Sequence, residues 1–122
     1  MDQRPTVHVI DDDDAVRDSM GLMLEVEGFV VRTYASAVAF LREAHLAGNP
    51  CLIVDMHMPG ISGVALLDQL RRNGINVPAI VMTSMANKRI RRAVEQVNSI
   101  ILEKPYSLEE LIHSIEAAVR SR

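Results

Sequence analysis

Short apolar runs alternate along the chain with longer stretches in which apolar residues recur at helical spacing. Five runs predict β-strands: Thr6 to Ile10, Phe29 to Tyr34, Cys51 to Val54, Ala79 to Met82 and Ser99 to Leu102. Four of them are continuous apolar runs, typical of strands buried on both faces, whereas Phe29 to Tyr34 is more polar and is expected at a sheet edge. The alternation predicts βαβ units around a parallel sheet, an α/β doubly wound fold.

Helical periodicity follows each predicted strand. Apolar residues at i, i+3, i+4 and i+7 form three helix faces: Ala37, Phe40, Leu41 and Ala44; Gly63, Leu66, Leu67 and Leu70; and Ile90, Ala93, Val94 and Val97. The first helix is predicted from Asp14 to Glu27. Ser107 and Glu110 form a capping box at the start of the last helix. Gly28 and Gly74 are expected at helix ends.

Length and composition restrict the function classes. A chain of 122 residues with 48% hydrophobic residues fits one domain over residues 1–122, either stand-alone or the N-terminal part of a longer protein. The net charge of -3 disfavours direct nucleic-acid binding, and 3% aromatic residues disfavour base stacking. The single cysteine, Cys51, cannot form an internal disulfide, as expected in a reducing cytoplasm.

No membrane interaction is expected. The longest stretch without a charge runs from Asn73 to Asn87 and contains Gly74, Asn76 and Pro78, so it cannot span a bilayer. The N-terminal residues lack the apolar core of a signal peptide.

Polar residues follow four of the predicted strands, where the ends of parallel strands meet. Asp11 and Asp12 follow the first strand, Asp55 the third, Thr83 the fourth and Lys104 the fifth. Carboxylates brought together at such an edge repel one another, so the cluster requires a cation. Oxygen ligands with room for water favour Mg²⁺.

Simpler explanations exist for part of this pattern. Asp13 and Asp14 are expected to cap the first helix, since aspartate is a strong N-cap. The simpler explanation for Lys104 is a surface lysine at a strand end, but a lone charge that ends a buried strand is costly unless a carboxylate or phosphate pairs with it. His57 is more consistent with a side chain that shapes water access to Asp55 than with a side-chain metal ligand. Cys51 is expected to pack at the start of its strand.

Four segments, in order and at these spacings, resemble the receiver domain of two-component response regulators. They are Val9-Ile10-Asp11-Asp12, Leu52 through Gly63, Val81-Met82-Thr83-Ser84 and Leu102-Glu103-Lys104-Pro105. The resemblance covers essentially the whole chain and implies a flavodoxin-like three-layer (βα)5 sandwich with strand order 2-1-3-4-5. Tyr34-Ala35-Ser36-Ala37 with Phe40-Leu41 resembles the FixJ-like branch, whose receivers usually precede a DNA-binding domain.

The resemblance assigns roles to the acidic residues. Asp55 is implied to be the phosphoacceptor, and the donor a phosphohistidine on a sensor histidine kinase. Asp11 and Asp12 are implied to hold Mg²⁺ together with Asp55 and the backbone carbonyl of His57. Such a protein is a signalling phosphoacceptor that catalyses only its own phosphorylation and dephosphorylation, and not an enzyme with an external substrate.

The remaining implied roles concern the switch. Thr83 would bond a phosphoryl oxygen, and Lys104 would pair with the phosphoryl group. A cis peptide is implied between Lys104 and Pro105. Output to a partner or output domain would use the fourth helix, fifth strand and fifth helix, with the chain a monomer or a phosphorylation-dependent homodimer.

Two departures from the family pattern bear on that output. Gln96-Val97-Asn98-Ser99 stands where a Gly-Ala pair is usual, and Asn98 is expected to take the left-handed turn. Ile101 occupies the switch position that is usually aromatic. The alternative function is therefore a degenerate receiver that acts as a phosphorylation-independent protein-interaction module.

Other functions are less consistent with the sequence. Asp11 and Asp13 form an Asp-x-Asp pattern like that of haloacid-dehalogenase-like phosphatases, but those chains are usually longer. Flavin binding is disfavoured because four aspartates after the first strand would repel a phosphate. The basic run Lys88-Arg89-Ile90-Arg91-Arg92 fits a solvated face, with docking of an acidic partner as the alternative. Met56, Met58, Met82 and Met85 are expected to fill gaps in the core.

Overall fold

A computed structural model describes residues 4–120. Over this range the chain alternates strictly between strand and helix. The elements are β1 (Thr6–Ile10), α1 (Asp14–Val26), β2 (Val30–Tyr34), α2 (Ala37–Glu43), β3 (Pro50–Asp55), α3 (Gly63–Arg72), β4 (Ala79–Thr83), α4 (Lys88–Gln96), β5 (Ile100–Glu103) and α5 (Leu108–Arg120). The expected strands and the first helix are confirmed, with boundaries that differ by at most one residue. The expected range 1–122 extends at both ends beyond the described residues.

All strands pair in parallel, in the order β2-β1-β3-β4-β5, which confirms the expected doubly wound α/β fold. Helices cover both faces of the sheet. One core cluster joins the sheet to α2, α3 and α4 and contains Phe40, Leu66 and Val94. The other joins it to α1 and α5 and contains Leu24 and Ile115. The result is a three-layer sandwich.

The two edges of the sheet differ in how well the sequence predicts them. Strand β2 is an edge strand, as its polar sequence predicts, and only Tyr34 is buried in it. The apolar run of β5 was expected to be buried on both faces, which is wrong. Strand β5 forms the other edge, and Leu102 is its only buried residue. An apolar run does not distinguish a central strand from an edge strand that a helix partly covers.

Most turn predictions are confirmed. Asp13 caps α1 by accepting a hydrogen bond from the Val16 backbone, and Gly28 follows the helix with φ of 94°. Asn98 has φ of 53°, the left-handed conformation expected for it.

The predicted apolar face of α2 is wrong at one position. Leu41 is 44% exposed, because α2 is only seven residues long and buries Ala37 and Phe40 alone.

The parallel strands bring the residues after β1, β3, β4 and β5 to one edge of the sheet. This is the edge at which the polar residues were predicted to meet. Within residues 4–120, no helix is long and apolar enough to cross a membrane.

Candidate functional site

Three aspartates meet at the carboxyl-terminal edge of the sheet. Asp11 follows β1 and Asp55 ends the adjacent strand β3, so the pairing of Ile10 with Val54 places them side by side. One carboxylate oxygen from each of Asp11, Asp12 and Asp55 lies within 4.8 Å of the others. Asp11 and Asp55 are buried, whereas Asp12 is exposed. The predicted acidic cluster is therefore present.

Asp11 has an incompletely satisfied carboxylate. Its Oδ1 accepts a 2.9 Å hydrogen bond from the Asp13 backbone, but its buried Oδ2 has no hydrogen-bond partner. Burial raises the pKa of this carboxyl, and the charges of Asp55 and Asp12 add to the effect, while the Asp13 hydrogen bond and Lys104 oppose it. A buried carboxylate oxygen without a donor, next to two further carboxylates, fits a hard divalent cation such as Mg²⁺.

Lys104 supplies the positive charge in this cluster. Its Nζ donates a 2.7 Å hydrogen bond to Oδ1 of Asp55, and the Lys104 side chain is about one-third exposed. The backbone N–H of Lys104 donates to the Thr83 carbonyl at 2.8 Å, which fixes the end of β5 against β4. The Lys104-Pro105 peptide is cis, as the resemblance implied.

Thr83 is buried at the end of β4, and its hydroxyl has a defined partner. Oγ1 accepts a 3.1 Å hydrogen bond from the backbone N–H of Met85. The hydroxyl thus holds the first turn of the loop between β4 and α4. A hydroxyl rotates at little cost, so it could exchange this contact for one to a ligand in the cluster.

The remaining predicted residues lie beside this centre. The His57 side chain is exposed, two residues beyond Asp55, and the ligand role of its carbonyl stays a prediction. Ile101 is partly buried and packs against the core cluster that contains Val94 and Val97. Asp13 caps α1, so Asp12 and not Asp13 joins Asp11 in the cluster.

Two residues near the site were not predicted from the sequence. Arg17 donates a 2.8 Å hydrogen bond from Nη1 to the Asp11 carbonyl, and its side chain is only 14% exposed. Tyr106 contacts the sulfur of Met82 through its hydroxyl at 3.6 Å. Burial raises the Tyr106 pKa, with smaller contributions from Asp11 and Asp55. Residue type and spacing give no signal for the Arg17 contact, because it depends on the distance to a backbone carbonyl.

Other candidate residues take structural positions. Cys51 is buried and its pKa is raised to about 12 by burial, so it is not a reactive thiolate. His8 is buried in the core, where Nδ1 lies 2.9 Å from the Tyr34 hydroxyl. Met82 is buried as expected, but the core role predicted for Met85 is wrong: its side chain is 61% exposed on the loop after β4.

The basic run at the start of α4 is a solvated face over much of its length. Lys88, Arg89, Arg91 and Arg92 are all exposed. Arg91 is held by the Ala86 carbonyl at 2.8 Å and by Glu103 at 3.2 Å. The contact with Glu103 ties α4 to β5, and the contact with Ala86 ties α4 to the loop that precedes it.

This arrangement combines three chemical capabilities. The acidic cluster can hold a divalent cation, Asp55 offers a carboxylate oxygen at the rim, and Lys104 places an ammonium group against that oxygen. Such a site can accept a group that carries negative charge on several oxygens, because both cations would neutralise that charge.

The comparisons with known proteins cover nearly the whole chain. Residues 7–116 match the model of the response regulator receiver domain family. The transcriptional regulatory protein FixJ of Azorhizobium caulinodans is 40% identical over 116 residues, which is 93% of this chain and 54% of that protein. FixJ of Rhizobium meliloti is also 40% identical and is matched over 56% of its length. This chain therefore spans about half the length of these relatives.

Solved structures show the same fold. A crystal structure of FixJ-N has a TM-score of 0.88 and 36% identity, with 99% of this chain and 98% of that one covered. Full-length FixJ from B. japonicum has a TM-score of 0.87 and 30% identity, and 98% of this chain covers 60% of it. The chemotaxis protein CheY4 of Vibrio cholerae, at 22% identity and a TM-score of 0.86, shares the fold.

Proposed function

The chain belongs to the response regulator receiver domain family, and we propose that Asp55 accepts a phosphoryl group from a phosphohistidine of a sensor histidine kinase. One observation carries this proposal. Asp55 accepts a 2.7 Å hydrogen bond from the ammonium group of Lys104, and one of its carboxylate oxygens lies within 4.8 Å of those of Asp11 and Asp12. A carboxylate that lies in a cation site and also contacts the ammonium group of a lysine is suited to attack an electrophilic phosphorus.

Asp11, Asp12, Asp55 and the His57 carbonyl would hold Mg²⁺. When bound, Mg²⁺ supplies positive charge that neutralises the oxygens of the incoming phosphoryl group. An Asp55 oxygen forms the new bond to phosphorus while the bond to the donor imidazole nitrogen breaks. The product is an acyl phosphate on Asp55. Lys104 then pairs with a phosphoryl oxygen.

Thr83 would respond to the phosphorylation of Asp55. Its hydroxyl, now an acceptor for the Met85 backbone N–H, would donate to a phosphoryl oxygen instead. Ile101 stands at the position of the usual aromatic switch residue and already packs inward. The change is therefore proposed to pass mainly through the loop between β4 and α4.

The output would be a change in partner binding by the surface of α4, β5 and α5. Partners are a sensor histidine kinase and an output domain or separate protein, with a phosphorylation-dependent homodimer as a further outcome. The curated relatives are transcriptional regulatory proteins, which supports a role in transcription regulation. We place the protein in the cytoplasm, as a receiver over residues 1–122 that is a signalling phosphoacceptor and not a turnover enzyme.

A second candidate is a degenerate receiver that binds its partner without phosphorylation, which the aliphatic Ile101 favours. The two functions differ in one measurement. A phosphorylation-dependent receiver binds its partner differently before and after phosphoryl transfer, and Asp55→Asn abolishes that difference. A constitutive module binds equally in all three states.

Transfer from purified sensor kinases tests the proposed donor. Each kinase is first autophosphorylated with labelled ATP and then mixed with the wild type or with Asp55→Asn. We expect one kinase to transfer label rapidly to the wild type only. Label on both proteins, or on neither with any kinase, would contradict the proposal.

A further inference from the structure

Gly63, the first residue of α3, makes an unusually close approach to the acceptor strand. A methyl group added to Gly63 would lie 2.6 Å from the carbonyl oxygen of Asp55. It would also lie 3.2 Å from the Asp55 carbonyl carbon and 3.3 Å from Cα of Met56. A methyl carbon essentially never lies within 3.0 Å of another heavy atom, so the contact with the oxygen requires a shift, and the two carbon contacts are shorter than the favourable distance of about 3.5–4.0 Å. The atoms in the way are backbone atoms, which cannot rotate aside.

The need for glycine here comes from space and not from backbone conformation. The positive-φ glycines of the described residues do not include Gly63, which lies in a regular helix. Any other residue at this position would therefore have to move either the start of α3 or the end of β3.

The same residue closes the loop that leads away from Asp55. The Gly63 backbone N–H donates a 3.0 Å hydrogen bond to the Met56 carbonyl, and Ser62 caps α3 by accepting from the Ala65 backbone. The loop between these two points contains His57, whose carbonyl is proposed to bind Mg²⁺. Gly63 thus bounds the segment that carries both the acceptor and a proposed metal ligand.

We propose that Gly63 is a positioning residue for phosphoryl transfer, an inference that rests on the proposed function. Because Gly63 has no side chain, α3 can pack directly against the Asp55 carbonyl. This packing positions the acceptor carboxylate relative to Asp11, Asp12 and Lys104. A displacement of the reacting group by about 1 Å can slow a reaction by about 100-fold. The methyl contact at 2.6 Å requires a shift approaching this size.

Gly63→Ala tests this inference, with Gly21→Ala as the matched control. Gly21 also lies in a helix, and a methyl group there would meet only side chains, at 3.7 Å and 3.9 Å, which is ordinary contact. Both variants are compared with the wild type at a temperature at which circular dichroism shows them fully folded. Two quantities are measured. The first is the phosphorylation rate at saturating small-molecule phosphodonor and Mg²⁺. The second is the Mg²⁺ concentration that gives half-saturation, which is determined from amide NMR shifts.

We expect Gly63→Ala to lower the saturated rate at least 10-fold and to weaken Mg²⁺ binding, whereas Gly21→Ala changes neither by more than twofold. A merely structural role would lower the melting temperature and leave both values unchanged in the folded protein. That result would overturn the proposal.

Two further outcomes are decisive. If Gly63→Ala does not fold, the double variant Gly21→Ala/Gly63→Ala is measured, since alanine at position 21 favours the α1 helix. Failure of this variant to fold would assign Gly63 to overall stability and would overturn the proposal. If the wild type takes up no phosphoryl group, the proposed function fails. The Mg²⁺ concentration for half-saturation then still tests whether Gly63 positions the acidic cluster.

Discussion

The Nζ of Lys104 lies 2.7 Å from Oδ1 of Asp55, although the two residues are 49 positions apart in the chain. Asp55 ends the central strand β3, and Lys104 follows the edge strand β5, with β4 between them. The contact therefore depends on the parallel order of three strands. It places the ammonium group of Lys104 against the carboxylate of the proposed acceptor, within the acidic cluster.

Replacing Lys104 should slow phosphorylation of Asp55 without unfolding the domain. Lys104→Met removes the charge that would stabilise the phosphoryl oxygens, and loss of one such group typically costs about 100- to 1,000-fold in rate. Arg72→Met is the control, because Arg72 pairs with Asp68 on the exposed surface of α3, at 2.8 Å. Phosphorylation rates with a small-molecule donor check this. A Lys104→Met rate within threefold of the Arg72→Met rate would contradict the assigned role.

Asp11→Asn should stabilise the protein without Mg²⁺ and abolish stabilisation by Mg²⁺. Burial raises the pKa of Asp11, so its ionisation opposes folding, and this cost grows as pH rises above its ordinary pKa. Asparagine keeps the acceptor for the Asp13 N–H but not the charge. At pH 7 without Mg²⁺ we therefore expect the free energy of unfolding to rise.

Urea unfolding with and without Mg²⁺ measures both effects, and Asp18→Asn on the exposed face of α1 serves as control. The wild type and the control should both gain stability with added Mg²⁺, whereas Asp11→Asn should not. An equal gain in Asp11→Asn would exclude Asp11 as a metal ligand.

Thr83→Ala should release the loop that follows β4. The Met85 N–H then loses its 3.1 Å acceptor, and a hydrogen bond of this kind contributes about 1 kcal/mol net, or about fivefold in amide exchange. Thr83→Ser should retain wild-type exchange. In the wild type, phosphorylation should also speed exchange at Met85, as Thr83 turns towards the phosphoryl group. Unchanged exchange on phosphorylation would show that Thr83 does not leave Met85.

His8 should make the stability of the domain depend on pH below neutrality. Burial lowers its pKa, with a smaller effect of Arg32, and its Nε2 has no hydrogen-bond partner. The unfolded chain then binds a proton at a pH, about 6.5, at which the folded protein does not. Stability is therefore fully present above about pH 6.5 and falls as pH drops, by at most about 1.4 kcal/mol per pH unit.

Urea unfolding between pH 5 and pH 8 checks the His8 prediction. His8→Leu should show a smaller loss of stability at low pH than the wild type, whatever its stability at pH 8. His113→Gln, which changes an exposed histidine on α5, should keep the wild-type slope. If His8→Leu keeps that slope as well, the pH dependence arises elsewhere.

Sequence patterns were sufficient for the fold because local chemistry and burial act in the same direction here. The buried strands β1, β3 and β4 are mainly apolar, and the turn residues Gly28 and Asn98 adopt the conformations that their types favour. The exposure of Leu41 was not predictable, because it depends on where α2 ends.

The site was predictable to the extent that it follows strand ends. Asp11, Asp55 and Thr83 lie directly at the ends of strands, so parallel pairing brings them together. Arg17 and Gly63 were not identified, since their roles depend on distances to backbone carbonyls, which residue type and spacing do not encode.

Mass spectrometry of the intact protein shows directly whether Asp55 accepts a phosphoryl group. The wild type and Asp55→Asn are incubated with a small-molecule phosphodonor, with and without Mg²⁺, and measured quickly because acyl phosphates hydrolyse. We predict that the wild type gains one phosphoryl group only when Mg²⁺ is present and that Asp55→Asn gains none. No adduct on the wild type, under conditions that label a control receiver, would contradict phosphorylation of Asp55 and favour the constitutive interaction module.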